Sequence, residues 1–324
     1  MQAATAPYVS VSVIIPCFNC DKYILASVRS VYAQNWPNIE VIVVDDGSTD
    51  RSAELVSAHF PNVRLIQQAN QGVAAARNNG LAQATGEWIA FLDADDIWLD
   101  NKLALQWVLL QGSPETRMCY AAWHVWQSDS PEPTEELLGQ LRANACSSGG
   151  QQPAGASGWI YPALLLDCVV WTSTVLAHRS VFDEIGVFDT SLRIGEDYDL
   201  WLRASRVTKI LRVPDRLALY RIHPESITKS APSNNYQGIV IQRALDRWGF
   251  TSPDGTPANQ AAICNGLART WTNYGSACLT AGKTRNALQS GLQSLRANWK
   301  HRAGWKLLAK CALRAMAGSA QAKP

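Results

Sequence analysis

Three carboxylates, Asp93, Asp95 and Asp96, fall within four positions of the stretch EWIAFLDADDIW, directly behind a run of apolar residues. A buried charge is costly unless it is paired or bound to a cation, so a strand ending in such a cluster needs something to hold. An Asp-x-Asp pair on a tight turn can present oxygens to a hard divalent cation, which in turn binds the oxygens of a diphosphate. Asp93 and Asp95 straddle the small Ala94, which permits close approach. Taken alone, the pair fits a solvated turn or a helix cap equally well. More acids stand at Asp45 and Asp46 in VIVVDDGS and at Glu196, Asp197 and Asp199 in GEDYDLW. The last group could supply a general base, or simply favour the first turn of the helix that follows.

Hydrophobic patterning shows which elements must position these acids. VSVII at 11–15 and VIVV at 41–44 are short β-branched runs of the kind that form strands buried on both faces of a parallel sheet. Between them Ile24, Val28, Val31 and Tyr32 recur at helical spacing, with Asn19 or Asp21 placed to cap. The pattern repeats through a helix entered at Ser48 to Asp50, a strand VRLIQQ, a helix GVAAARNNGLAQA and the strand EWIAFLDADD. Such alternation implies an α/β layer with a mostly parallel sheet. In open sheets of this class ligands bind outside the carboxyl ends of the strands, and Asp45, Asp46, Asp93, Asp95 and Asp96 all fall there. No G-x-G-x-x-G follows the first strand and no P-loop motif occurs, so phosphates must be held by other means.

Composition narrows the class. The chain has 324 residues, 47% hydrophobic and 17% charged, which is globular and long enough for one large or two ordinary domains. Its 13 Trp suit stacking on sugars as well as core filling. Eight Cys are scattered, and the single C-x-x-C at Cys17 and Cys20 has no second pair to complete a zinc site. No run reaches the ~18 apolar residues of a membrane span, and MQAATAPYVS is a poor signal peptide, so a cytoplasmic protein is expected. From 127 to 158 Pro, Gly, Ser and Ala dominate, which predicts a mobile loop. Beyond about 235 the chain reads as helices only. After Asp254 there is no acid, against ten Lys and Arg. Within 299–317, Lys306, Lys310 and Arg314 form one row and Trp305, Leu308, Ala312 and Met316 another face. A basic helix of this kind could lie peripherally on the inner face of an anionic membrane, or pack its apolar face on the protein.

Six stretches taken together, VSVIIPCFNCDKYI, VIVVDDGSTD, NQGVAAARNNGL, FLDADDIW, GEDYDLWLR and YRIHPESIT, resemble in order and spacing the motifs of the family 2 nucleotide-sugar glycosyltransferases. The resemblance covers roughly residues 10–228. It implies a Rossmann-like glycosyltransferase A-type domain over 1–234, with a nucleotide-sugar half at about 10–110 and an acceptor half at about 111–234. A C-terminal helical basic extension, 235–324, would follow. It also implies an inverting transfer from a nucleotide diphosphate sugar, UDP being the commonest nucleotide, with Mn²⁺ or Mg²⁺. By position, Pro16 and Phe18 match the nucleotide pocket, Asp46 with Asp45 beside it the base contact, and Arg77 a basic residue near the nucleotide. Asp93, Ala94 and Asp95 match the D-x-D contact to ribose and metal, Asp197 beside Glu196 the catalytic base, and His223 a histidine that completes the metal shell in some members. The expected acceptor is a glycan or lipid-linked glycan of the cell surface, with no nucleic-acid partner. Transfer to a polyprenyl phosphate, or nucleotide-sugar binding without catalysis, are the alternatives that stay open.

Overall fold

A computed structural model describes residues 8–147, 156–224 and 233–320. The chain divides into two compact units, Met1–Ile160 with Cys168–Ser230, and Tyr161–Asp167 with Ala231–Pro324.

In the first unit the alternating pattern becomes β1 (Val11–Cys17), α1 (Ile24–Tyr32), β2 (Ile39–Asp45), α2 (Ser52–His59), β3 (Arg64–Gln67), α3 (Val73–Gln83) and β4 (Trp88–Phe91). After it come β5 (Ile97–Trp98), α4 (Lys102–Gln111), β6 (Met118–Gln127) and α5 (Glu135–Ser147). Then follow a 3₁₀ turn (Thr172–Thr174), β7 (Leu176–His178), α7 (Arg179–Ile185), α8 (Glu196–Ala204) and β8 (Ile210–Ile222). The strands form one eight-stranded sheet in the order β3-β2-β1-β4-β7-β6-β8-β5. The first four run parallel, β7 is antiparallel to both its neighbours, β6 and β8 are parallel, and β5 closes the edge antiparallel to β8. The fold is thus mixed α/β with a mostly parallel sheet, as expected. All seven residues of β1 are buried, as its unbroken apolar run requires of a strand covered on both faces.

Two details of β1 shape what lies at its carboxyl end. Its pairing with β4 stops at Ile14↔Phe91, while its pairing with β2 continues to Cys17↔Asp45. Beyond Ile14 the strand is no longer paired with β4, and Pro16, which has no N–H to give, falls in that stretch. On one face α3 lies directly on the strand because Gly80 has no side chain: a Cβ there would sit 2.5 Å from Ile14 Cγ2. Arg77, three residues earlier on the same face of α3, is thereby brought to the carboxyl end of β4, where it meets Asp93.

Three expectations are corrected here. Neither Asn19 nor Asp21 caps α1, whose N-cap is Tyr23 with no side-chain cap. Asn19, at φ 51°, turns back so that its Oδ1 accepts from Thr49 N at 2.8 Å, and Asp21 N donates to Asp50 at 2.9 Å. These bonds tie the β1 loop to the β2 loop. Second, the stretch 127–158 is not wholly loop, for it contains the thirteen-residue α5. Glu135 and Glu136 occupy its first turn, which suits the helix dipole. Leu137 and Leu141, one turn apart, pack against Ile97, Leu219 and Trp126. Residues 148–155 lie outside the described set.

Third, in the helical second unit the basic tail does not bury the expected face. This unit holds α6 (Tyr161–Leu164), α9 (Tyr236–Trp248), α10 (Gln260–Thr280), α11 (Thr284–Ala297) and α12 (Arg302–Ala320). In α12, Leu307 and Cys311 are buried, whereas Trp305 is 56% exposed. The reason lies in the facing helices: Gly275 of α10 leaves space taken by Leu307, and Gly291 of α11 space taken by Leu308. Lys306, Lys310 and Arg314 are all exposed, so the basic row is solvated, and Arg314 Nη1 also donates to Leu279 O at 2.7 Å, near the end of α10. Met316 carries no described side chain. No helix among the described residues is long and apolar enough to cross a membrane.

The approach of β4 to β1 gives a test. A Cβ on Gly86 would lie 2.6 Å from Ser12 N and 2.9 Å from Val11 C, both backbone atoms that cannot swing away. Gly86→Ala should cost roughly 1–3 kcal/mol by overpacking. Gly112→Ala, whose added Cβ would meet nothing closer than 3.4 Å, should be neutral or slightly stabilising. Thermal melts of the two variants check the contrast; equal melting temperatures would refute it.

Candidate active site

The acids at the carboxyl end of the sheet are organised by one guanidinium. Arg77 is 4% exposed; its Nη2 donates to Asp93 Oδ1 at 2.7 Å and its Nη1 to Glu196 Oε1 at 2.6 Å. Its plane lies over the Phe188 ring, 5.3 Å from the centroid. Burial works against the charge, but Asp93, Glu196 and Asp197 outweigh it and push the Arg77 pKa upward, so it stays ionised. Three carboxylates around one cation leave negative charge in excess. Burial, with Asp95 adding to it, raises Asp93. Burial and the neighbouring Asp197 raise Glu196 to about 7 against the pull of Arg77. The Arg77 Nε is buried without a hydrogen-bond partner among the described residues.

The D-x-D turn is built from both sides. Asp95 Oδ2 lies 3.1 Å from His223 Nε2, and the His223 ring lies 4.9 Å from that of Tyr23. Ala94 is buried, and its carbonyl accepts from Ser27 Oγ at 2.7 Å. Asp96, the third acid of the cluster, belongs to the framework. It is 1% exposed and accepts from Ser173 Oγ at 2.6 Å, Trp171 Nε1 at 3.1 Å and Arg221 N at 2.9 Å. Burial and the charges of Asp95 and Asp93 push its pKa well up.

Two parts of this site escaped the sequence reading. One is the turn WTST, which donates Ser173 and Trp171 to Asp96 and Thr172 Oγ1 to Asp197 Oδ2 at 2.8 Å. Its signal is a run of three hydroxyls between the apolar VVW and β7, which alone says nothing about a partner. The other is Arg221, fully buried in β8. Its guanidinium donates to Asp95 O at 2.6 Å, to Pro131 O at 2.9 Å and to Ser130 O, and lies against Trp126 and Tyr23 at 4.1 and 4.5 Å from their centroids. It clamps the turn to the 130–131 loop.

The remaining predicted residues lie at the same sheet edge. Asp197, half-buried at the start of α8, also accepts from Tyr198 N at 2.7 Å, so its carboxylate is oriented at both oxygens. Phe18 stands just past β1 and is 47% exposed, whereas Pro16 is buried within the strand. Asp46 is 3% exposed and accepts from Gln68 Nε2 at 2.8 Å, Gln71 N at 2.9 Å and Gly72 N at 2.8 Å, holding the loop that starts α3. Asp45, equally buried, accepts from Ser48 N at 3.3 Å.

Could this set hold a divalent cation? Among the described residues no three His, Cys, Asp or Glu side chains form a metal-binding group. Asp95 and His223 supply one carboxylate and one imidazole side by side, donors that suit Mn²⁺, and the excess negative charge favours a cation there. Asp93 is already engaged at one oxygen by Arg77. The residues therefore fit a cation held by Asp95 and His223, with further ligands from Asp93 and a bound diphosphate.

The charge balance yields two expectations. Arg77→Met leaves buried carboxylates uncompensated and should cost roughly 3–5 kcal/mol, read as a loss of melting temperature. Because the Glu196 pKa is raised in the folded state from 4.5 to about 7, the stability it contributes is full below about 4.5 and lost as pH rises through about 7. Glu196→Gln should thus gain in melting temperature relative to the wild type as pH increases from 5 to 8. A pH-independent difference would contradict the raised value.

Comparison with known proteins identifies the family and the fold. The model of the glycosyl transferase family 2 matches residues 12–125. An uncharacterized glycosyltransferase of Nostoc sp. is 32% identical over 228 residues, covering 69% of this chain and 68% of that protein. An uncharacterized glycosyltransferase of Rickettsia bellii is 31% identical over 232 residues, 71% of this chain, but this chain spans only 31% of that protein's length. Among solved structures, S. aureus TarS 1-349 in complex with UDP-GlcNAc superposes with a TM-score of 0.60 at 18% identity, covering 89% of this chain and 81% of that one. The mannosyltransferase PcManGT from Pyrobaculum calidifontis, in complex with GDP-Man and Mn²⁺, does so at 0.54 and 18% identity, covering 96% and 88%. At such identity the structures speak for the fold, while the sequence relatives carry the assignment: the chain belongs to the family 2 glycosyltransferases.

Proposed function

We propose that this glycosyltransferase moves a sugar, with inversion, from a UDP-sugar to a hydroxyl of a glycan or lipid-linked glycan in cell-surface polysaccharide synthesis. The observation that carries the reading is the gathering of Asp93, Glu196 and Asp197 around one buried Arg77 at the carboxyl ends of the strands, with Asp95 of the same turn paired to His223.

An acceptor hydroxyl is a poor nucleophile until its proton is taken during attack. Asp197 is the residue for that step. Thr172 Oγ1 and Tyr198 N each occupy one of its oxygens, which fixes the carboxylate plane and leaves further lone pairs for the acceptor proton. Glu196 is the poorer base despite its raised pKa, because it is 6% exposed and committed to Arg77. Its role, with Arg77, is to hold Asp93 toward the donor. The exposed Phe18 ring offers a face for a nucleobase, beside Pro16, and Asp45 and Asp46 offer acceptors for its N–H groups. A Mn²⁺ or Mg²⁺ ion on Asp95 and His223 would neutralise charge on the leaving diphosphate. The related folds bind UDP-GlcNAc in one case and GDP-Man with Mn²⁺ in the other, which supports a nucleotide diphosphate sugar and a divalent cation here. The exposed Trp305, Lys306 and Lys310 of α12 support a peripheral contact with an anionic membrane on the cytoplasmic side, where a lipid-linked acceptor would be met.

Titration calorimetry with a panel of nucleotide diphosphate sugars, in Mn²⁺ and then in EDTA, tests the donor half. One donor should bind in Mn²⁺, and Asp95→Ala should weaken it by roughly tenfold or more. Asp197→Asn should leave donor binding intact and lower transfer by roughly 10²–10⁴-fold. Near-normal turnover in that variant would remove Asp197 as the base, and binding of no donor would remove the transfer reading.

A further inference from the structure

The second unit carries a groove of about 430 Å³ that the transfer chemistry does not use. Trp271 and Tyr274 of α10 line it, three residues apart and hence on one face. From α11 come Asn286, Gln289, Gln293 and Arg296, again at spacings of three and four. The floor is the buried Ser290, and the helices meet so closely there that a Cβ on Gly275 would lie 2.8 Å from Ser290 Cβ. Tyr274 is fixed in place, its hydroxyl donating to Ser233 O at 2.5 Å. The indole N–H of Trp271 and the side chains of Gln289, Gln293 and Arg296 make no hydrogen bond among the described residues, so their capacity is open to a ligand.

The lining excludes most occupants. It has no acid and no histidine for a metal. With Leu292 as its one aliphatic side chain, it lacks the apolar stripe that an amphipathic helix needs. A single cation, Arg296, is too little for a nucleic-acid backbone. Two aromatic faces with planar amides and a guanidinium match a sugar, whose C–H face packs on a ring while neighbouring hydroxyls pair with amide and guanidinium donors. The volume suits a short ligand segment, within the roughly 300–1,000 Å³ of ordinary ligand sites. Arg296 has no ion-pair partner among the described residues, and no Asp or Glu occurs after Asp254, so an acidic substituent on the sugar is favoured.

We propose that the groove between α10 and α11 binds an acidic oligosaccharide. That this chain is the acceptor, gripped at a distance from its reacting end, rests on the transfer reading above; that the ligand is a sugar rests on the groove alone.

The test uses the full chain on a microarray of defined acidic and neutral oligosaccharides, beside the variant Gln293→Ala/Arg296→Ala. Arg296 is exposed and Gln293 half-buried, so the fold should survive, and a melting curve verifies it. Binding to acidic members, weakened at least tenfold in the variant with an unchanged melting temperature, supports the groove. Binding to no member, or binding undiminished in the variant, overturns it. Titration with the nucleotide-sugar panel on the same two proteins keeps the readings apart. Donor affinity should be equal in both, and loss of donor binding in the wild type would sink the transfer reading while leaving the glycan result to decide the groove.

Discussion

The buried ion pairs of Arg77 are the constraint on which the rest of the site depends. They join α3, the end of β4 and the start of α8, elements far apart in sequence, through two bonds of 2.7 and 2.6 Å. A guanidinium can do this because its fork is planar and stays charged under burial, where an ammonium would be far more easily neutralised. The stretch of backbone that carries it is equally restricted, since α3 reaches β1 only through Gly80. The acids outnumber the cation, and that imbalance is the physical basis for a site that seeks a further positive charge.

Around this centre the framework separates acids that hold the protein from acids left to act. Asp96 receives three hydrogen bonds from the chain and is 1% exposed. Asp93 and Asp95 keep side chains 26% exposed and Asp197 is half-buried, so ligands can reach them. The turn at 172–174 serves both groups at once, locking Asp96 through Ser173 and orienting Asp197 through Thr172. Arg221 does the corresponding work from β8, since three backbone carbonyls satisfy a cation that burial would otherwise expel. The helical unit follows a different logic. Its helices are brought together by small residues, and on one side this leaves a seam lined with amides and aromatic rings.

Much of the first unit was readable because its signals are local. The β-branched runs become β1 and β2 and the apolar WIAF becomes β4, and the acids after them fall at carboxyl ends because strand direction follows from the alternating connections. Recognition of the motifs placed Arg77, Asp93, Asp95, Asp197 and His223 in one family pattern. The structure brings Arg77, Asp93, Glu196 and Asp197 together and sets Asp95 against His223. Where reading went astray, the deciding contact was non-local. Asn19 looks like a cap but bonds across to Thr49. The Pro- and Gly-rich stretch from 127 hides α5, whose Leu137 and Leu141 find their partners on β5 and β8. In α12 helical spacing correctly showed an amphipathic helix, yet the buried face was chosen by gaps at Gly275 and Gly291 on other helices.

What the sequence determined by itself is the order of elements, the fold class and the residue types that chemistry of this kind requires, because periodicity, β-branching and motif spacing act over a few residues. The tertiary structure alone decided which carboxylate does what. Asp93, Asp95 and Asp96 are neighbours of one chemical kind, and only the groups brought to them separate their roles: Arg77 to the first, His223 to the second, and Ser173, Trp171 and Arg221 to the third. Burial and partner geometry, which set the charge state of a carboxylate and its freedom to meet a ligand, arise only when distant segments close around it.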